Sequence, residues 1–192
     1  MLEFLFKFMD TIYPLSDEVK RNIEQSMEIM EVPKNHLLLR EDQRCDFIFV
    51  VISGVVRMYY IKDGEEVCSR FAEEQQLCMP VNSFFSRVKS YEYIETIVPC
   101  TIARIHYDKL QQLYKDHVEF NYVARVFTEH YFIRSEERLF LLRKQSAEER
   151  YLFLSKQYPS IIQRVPLKYI ASYLGITLET LSRIRKKLSL PQ

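Results

Sequence analysis

The sequence predicts an α+β chain in three parts: an N-terminal antiparallel β-roll of jelly-roll type, a long helix, and a small all-α unit at the C-terminus. Three observations carry this. Between His36 and about Ile105 the texture is β, with runs rich in Val, Ile, Phe and Tyr separated by turn residues. From about Asp116 to Gln145 a helical texture runs without Pro or Gly, which at 1.5 Å per residue gives a helix roughly 40 Å long. From Leu167 the run LKYIASYLGITLETLSRIRKK contains two short amphipathic helices around one glycine. The expected domains are 1–115, 116–145 and 146–192.

In chain order, three short helical pieces are predicted over Leu2 to Met30, with Ser16 as an N-cap and Asp17 and Glu18 in the first turn. Strands follow in HLLLR, DFIFVVISGVVRMYYI, VCSRF, YIETIV and TIARI. Lys62-Asp63-Gly64-Glu65 signals a tight hairpin, Ser53-Gly54 another sharp turn, and Pro99-Cys100 separates the last two strands. Many short antiparallel strands joined by turns imply a roll or small barrel.

Along the long helix, Val123, Phe127, His130, Arg134, Glu137 and Leu141 fall on one line, and Val126, Ile133 and Phe140 on another. One apolar face suffices to pack on the roll. Two imply a partner, so a homodimer joined along this helix is expected, with Arg134 and Glu137 setting its register. Ser146 to Tyr158 reads as a further helix with Ser146 as N-cap and Glu149 completing a capping box; Pro159 should end it, leaving Ser160 to Val165 as a connector.

The C-terminal run has the marks of a helix-turn-helix. Ile170 and Leu174 share a helical face, Gly175 can take the positive φ of a tight turn, Ile176 enters that turn, and Leu181 and Ile184 give the second helix its own apolar stripe. Ala171 lies where the helices must approach closely. Pro166 and Thr177 mark the two helix starts. The polar side of the second helix suits base edges: Arg183 can donate twice to guanine O6 and N7, Glu179 can accept from cytosine N4, and Ser182 can do either. Lys168, Thr177, Thr180, Arg185 and Lys186 are candidates for phosphate contacts, which position the helix without reading sequence. A solvated bundle corner is the bland alternative.

Charge follows the same division. The chain has 192 residues and a net charge of +1, but residues 1–162 carry 21 Lys+Arg against 25 Asp+Glu, and residues 163–192 carry 6 against 1. At 47% hydrophobic residues, the chain can fill one sizeable core and a small one. No apolar run approaches the ~20 residues of a membrane span, so no membrane partner and a cytoplasmic location are expected. Cys45, Cys68, Cys78 and Cys100 show no CxxC pair and are expected to be buried and reduced. No metal site is expected. With no glycine-rich phosphate loop, HExxH or GxSxG, the sequence does not read as an enzyme; Glu73, Glu74, Glu92 and Glu95 are expected to be solvated strand-end carboxylates.

The order of roll, long helix and helix-turn-helix resembles the Crp/Fnr family of bacterial transcription regulators over nearly the whole chain. The resemblance is carried by FVVISGVVRMYYIKDGEE and IASYLGITLETLSRIRKKL. Glu179, Thr180, Ser182 and Arg183 are similar to the E-T-x-S-R recognition pattern of the Fnr branch, which implies contacts to TTGA-type half-sites. Leu178 stands where the cyclic AMP receptor branch carries Arg. The resemblance implies a homodimer on a near-palindromic duplex, with RNA polymerase a candidate further partner. The alternative class is a non-DNA ligand-binding or protein-interaction module with the same roll.

The resemblance also implies an effector pocket in the roll, where cyclic-nucleotide members hold phosphate with a Gly-Glu pair and a later Arg-Ser. Here Cys78-Met79 stands near the first pair, and no Arg-Ser precedes Tyr93. A buried cyclic phosphate would lack compensation, so no cofactor, and no cyclic AMP binding, is expected. Arg87 and Lys89 lie in the right neighbourhood for an anionic ligand, although exposed loop cations explain them too. His36, His106, His117 and His130 are candidates for the haem ligation known among relatives by residue type alone. A two-stranded wing after the recognition helix, frequent in the family, is not seen before Gln192, so a shallower salt dependence is expected.

Overall fold

The computed structural model describes residues Leu2–Ser189; Met1 and residues 190–192, the outer ends of the first and last expected domains, lie outside the described residues. Two helices, α1 (Glu3–Ile12) and α2 (Asp17–Ser26), precede eight strands: β1 (Met27–Val32), β2 (Leu37–Leu39), β3 (Phe47–Ser53), β4 (Val56–Lys62), β5 (Glu65–Ala72), β6 (Leu77–Cys78), β7 (Tyr93–Thr96) and β8 (Cys100–His106), with the short helix α3 (Val81–Ser86) between β6 and β7. Helices α4 (Tyr107–Asp116), α5 (Val118–Lys144), α6 (Ala147–Gln157), α7 (Pro159–Arg164), α8 (Leu167–Leu174) and α9 (Leu178–Ser189) complete the chain. The expected α+β class, a roll followed by a long helix and C-terminal helices, is what the chain adopts.

The roll is two four-stranded antiparallel sheets, ordered β1-β8-β3-β6 and β2-β7-β4-β5. Its interior is apolar: Val51, Val56, Met58, Ile94 and Ile102 belong to one cluster that extends to α1, α2, α4 and the start of α5. β3 is buried nearly throughout because its second face is covered too, Val50 and Ala103 meeting Leu2 with Phe4 and Phe6 against them. That double cover explains why FIFVVIS is a continuous apolar run rather than an alternating one.

Turn chemistry sets the strand joins. Asp63 and Gly64 both have positive φ (+53° and +82°), the signature of a two-residue type I′ hairpin between β4 and β5. Gly54 has φ +106°, and a Cβ there would lie 2.3 Å from Cys100 Sγ, so both backbone and space demand glycine.

Three local expectations need correction. Helix was expected through Met30, but Met27–Val32 is a strand: it pairs residue by residue with β8, from Met27 opposite Ile105 to Val32 opposite Cys100. Long-range pairing overrides the helical texture of MEIMEV. Pro159 does not leave a connector behind it; it occupies the first turn of α7, where its missing N–H costs nothing. The apolar C-terminal residues also do not close a separate core. Ile170, Leu174, Leu181 and Ile184 form one cluster with Val55, Tyr59, Cys68, Phe71 and Ile97 of the roll.

Candidate nucleic-acid interface

α8 begins after Pro166 and ends at Gly175, whose φ of +66° turns the chain. The Ile176 N–H donates to the Ala171 carbonyl at 3.1 Å, closing the last turn of α8 in a Schellman-type stop. Nothing lies within 4 Å of a Cβ built at position 175, so only the backbone demands glycine there. Thr177 Oγ1 then accepts from the Thr180 N–H at 3.2 Å, the N-cap bond of α9. Ile170, Ala171 and Leu174 are buried with Leu181 and Ile184, and this pins the polar face of α9 outward.

On that face Glu179, Ser182, Arg183, Arg185 and Lys186 are all exposed, as are Thr177 and Lys168 on the flanks; Thr180 is half-buried. Backbone amide bonding at the helix start and the Thr177 hydroxyl hold the Glu179 carboxyl below its ordinary pKa, so it is an acceptor at neutral pH. Arg183 Nη2 donates to Thr180 Oγ1 at 3.2 Å, which aims the guanidinium along the helix surface. Lys168 Nζ lies over the Tyr169 ring at 4.6 Å. The structure therefore gathers all eight residues expected to meet DNA onto one unit.

The inner face of the unit carries a docking surface that the sequence reading missed. Ser172 Oγ accepts from the Cys68 N–H at 2.9 Å and donates to the Glu66 carbonyl at 3.1 Å, satisfying the outer strand β5. Arg57, 2% exposed, lies between the rings of Tyr59 (3.9 Å) and Tyr169 (3.8 Å) and pairs with Glu66 and Glu95. Burial opposes its charge, but the two carboxylates more than offset this and hold its pKa above the ordinary value. Arg164 grips Glu74 through both terminal nitrogens at 2.8 and 2.9 Å, and Glu74 also accepts the Gly54 N–H at 2.7 Å. Three of the carboxylates expected to be solvated are thus engaged: Glu74 and Glu95 in ion pairs, and Glu92, 9% exposed, accepting the Ser69 hydroxyl.

The long helix turns the two expected lines apart. Val123 is wholly buried in the chain's own core, Phe127 meets Phe8 edge-on at 4.9 Å, and His130 lies beside the same ring. Arg134, Glu137 and Leu141 line a cleft against α1 and α6. Val123 is thereby withdrawn from any docking face, whereas His130, Arg134 and Glu137 are exposed and Phe127 and Leu141 are half-buried. The other line looks outward: Val126 is half-buried, Ile133 and Phe140 are exposed, and Phe132 (65%) and Leu139 join them.

The residues expected to line an effector pocket do not converge. Cys78 is buried in the roll interior, where desolvation pushes its thiol up to about 12; Cys45 and Cys68 are pushed up to about 11 by the same cause. Arg87 is consumed by an ion pair with Asp46, by the carbonyls of Cys45 (3.0 Å) and Phe84 (3.1 Å), and by the Tyr107 ring at 3.9 Å. Lys89 is exposed beside Asp42. With Arg87 neutralised and Cys78 facing the core, the α3 region does not fit a cyclic phosphate. The histidines are scattered: His106 Nδ1 accepts the Asp108 N–H at the start of α4, and His117 Nε2 shares a hydrogen bond of 3.0 Å with Asn22. Among the described residues no helix is long and apolar enough to cross a membrane.

Residues 29–117 match the family model described as a cyclic nucleotide-binding domain. No curated protein matches the sequence. Among solved structures, a c-di-GMP responsive global regulator of Xanthomonas campestris, CLP, aligns with TM-score 0.70 at 19% identity over 90% of this chain and 91% of that one. FixK2 from Bradyrhizobium japonicum aligns with TM-score 0.68 at 22% identity over 84% of each chain. A protein from Eubacterium rectale assigned to the crp/fnr family of transcriptional regulators aligns with TM-score 0.65 at 18% identity, over 91% of this chain and 83% of that one. At these identities the likeness is one of fold.

Proposed function

We propose that this chain is a sequence-specific DNA-binding transcription regulator of the Crp/Fnr type, acting as a homodimer on a near-palindromic duplex. In this reading residues 1–115 form the sensor roll, 116–145 the dimerisation helix and 146–192 the DNA-binding unit. The observation that carries it is the outward polar face of α9, where Glu179, Ser182 and Arg183 stand exposed above a buried apolar seam. Arg183 would read guanine, Glu179 cytosine, and Ser182 either; Lys168, Thr177, Thr180, Arg185 and Lys186 would take phosphates. Fold similarity to transcription regulators and the match of residues 29–117 support the reading.

One helix-turn-helix buries too little surface to select a site, and two related by a two-fold axis should meet half-sites about 34 Å apart. The outward line of α5, with Ile133 and Phe140 seven residues apart and Phe132 and Leu139 beside them, is the surface on which a second copy would dock. The packing of α8 on β5 would tie the position of each recognition helix to its own roll. A fluorescence-anisotropy titration tests the reading: salt-dependent binding with preference for a TTGA palindrome over random duplex is expected, and equal or absent binding to both overturns it.

A further inference from the structure

A continuous file of stacked groups crosses from the roll to α8. The hydroxyl of Tyr93 on β7 donates to Glu41 at 3.1 Å, and its ring lies 4.9 Å from that of Tyr59 on β4 with the planes 9° apart. Arg57 follows, 3.9 Å from the Tyr59 ring and 3.8 Å from that of Tyr169, and Lys168 Nζ ends the file 4.6 Å from the Tyr169 ring. The middle of the file is held from the roll. Arg57 is 2% exposed and tied by Glu66 and Glu95, so the Tyr169 ring has a fixed neighbour to lie against. The outer end differs: Lys168 is exposed, and among the described residues its ammonium makes no ion pair or hydrogen bond.

Helix stability does not account for this lysine. It is the second residue of α8, where a cation meets the positive end of the helix dipole, so it opposes the helix on which it stands. An exposed lysine samples many rotamers and gives up that freedom when it meets an anion. Here an aromatic face holds the ammonium by cation–π attraction and leaves N–H donors free for an acceptor from solvent. We propose that Tyr169, clamped by Arg57 of the roll, is a positioning residue that presents the Lys168 ammonium to a DNA phosphate. Tyr169 need not touch the duplex, and Arg57 acts through it from inside the roll. The phosphate contact rests on the DNA-binding reading; the clamp on Lys168 does not.

Two measurements on the full chain test the two halves. In proton NMR the ring current of Tyr169 should shift the Lys168 ε-methylene upfield in the unaltered chain, and Tyr169→Leu should return it to its random-coil position. Tyr169→Phe should keep the shift, since the Tyr169 hydroxyl makes no hydrogen bond among the described residues. In anisotropy titrations Tyr169→Leu should weaken palindrome and random duplex alike by about two- to tenfold, because a phosphate contact reads no sequence and one side chain must now be ordered on binding. Tyr169→Phe should bind as the unaltered chain does. Added to Lys168→Ala, the Tyr169→Leu change should cost no further affinity, and thermal melting checks that each variant is folded. A Tyr169→Leu loss that persists undiminished in the Lys168→Ala background would make the ring a structural support only and overturn the proposal, as would an unshifted ε-methylene in the unaltered chain. A shifted methylene in a chain that binds neither duplex would leave the clamp standing and overturn the regulator reading together with the phosphate contact.

Discussion

The Arg57 guanidinium lies 3.8 Å from the ring centroid of Tyr169, so a cation buried in the roll is shared with the C-terminal unit. Its carboxylate partners come from β5 and β7, and the second ring over it is its near neighbour Tyr59. A buried charge of this kind is costly unless every side is satisfied, and one side here is supplied by α8. Docking of the unit and satisfaction of the charge are therefore one event.

Tyr169→Leu should keep most of the apolar volume and lose the ring, costing about 1–2 kcal/mol. Arg57→Met leaves Glu95 with no cation and should cost about 3 kcal/mol, at the low end for breaking a buried pair because Glu66 can rehydrate. Urea unfolding followed by circular dichroism measures both. Equal and negligible losses would mean that the sandwich is not a stabilising contact.

The two glycines with the largest consequences separate backbone strain from crowding. At Gly175 an alanine meets no atom, so Gly175→Ala should cost only the left-handed backbone term, about 1–2 kcal/mol. At Gly54 the same change adds a clash with Cys100 Sγ and the Pro99 carbonyl, and about 3 kcal/mol or more is expected. Thermal denaturation of the pair, compared with the unaltered chain, should give that order. The reverse order would contradict the geometry at Gly54.

What was readable in advance was local. The Ser146–Glu149 capping box, the Asp63-Gly64 hairpin, the Thr177 cap and the Gly175 stop each lie within a few residues of what they determine, and all are present. What was unreadable depends on partners far along the chain. Met27–Val32 is a strand because β8 arrives roughly seventy residues later, and Glu74 is bound because Arg164 reaches it from α7. The two lines on α5 differ in the structure mainly at Val123 and Phe127, which pack inward, against Ile133 and Phe140, which are exposed. Which faced inward could not be decided, since Val123 and Phe127 are no more apolar than Ile133 and Phe140; α1 settles it by packing Phe8 on Phe127.

Glu92 gives the chain a pH dependence of unusual sign for a carboxylate. Burial raises its pKa above 4.5, against the lowering effects of Ser69 and of Arg70 and Arg138. In the window just above pH 4.5 the folded chain binds more protons at this group than the unfolded one. The contribution is full below the unfolded pKa and is lost as pH rises through the folded pKa. Glu92→Gln fixes the neutral form, so its melting temperature relative to the unaltered chain should rise between about pH 4 and pH 7. A constant difference across that range would show that Glu92 ionises as freely folded as unfolded.

The outward line of α5 predicts a dimer that charge placed on that line can break. Phe140 and Ile133 are more than half exposed in the single chain, and a coiled contact would cover both. Ile133→Asp with Phe140→Asp should convert a dimer to a folded monomer in size-exclusion chromatography with light scattering, whereas Phe127→Asp should disturb the fold itself, because Phe127 packs against Phe8. A strict monomer before any substitution would remove the α5 face from the proposed assembly.

On DNA, the exposed residues of α9 should divide by what they touch. Arg183→Ala should cost about 1–3 kcal/mol on the palindrome and relax the preference for guanine, because a bidentate base contact is lost. Lys186→Ala should weaken palindrome and random duplex alike and flatten the salt dependence by about one unit of slope, as expected for one phosphate contact fewer. Because Arg183 Nη2 is held by Thr180 Oγ1 at 3.2 Å, Thr180→Val should reproduce part of the Arg183 effect without removing charge. Anisotropy titrations across several salt concentrations distinguish these cases, and an Arg183→Ala loss of equal size on both duplexes would assign that side chain to phosphate rather than to a base.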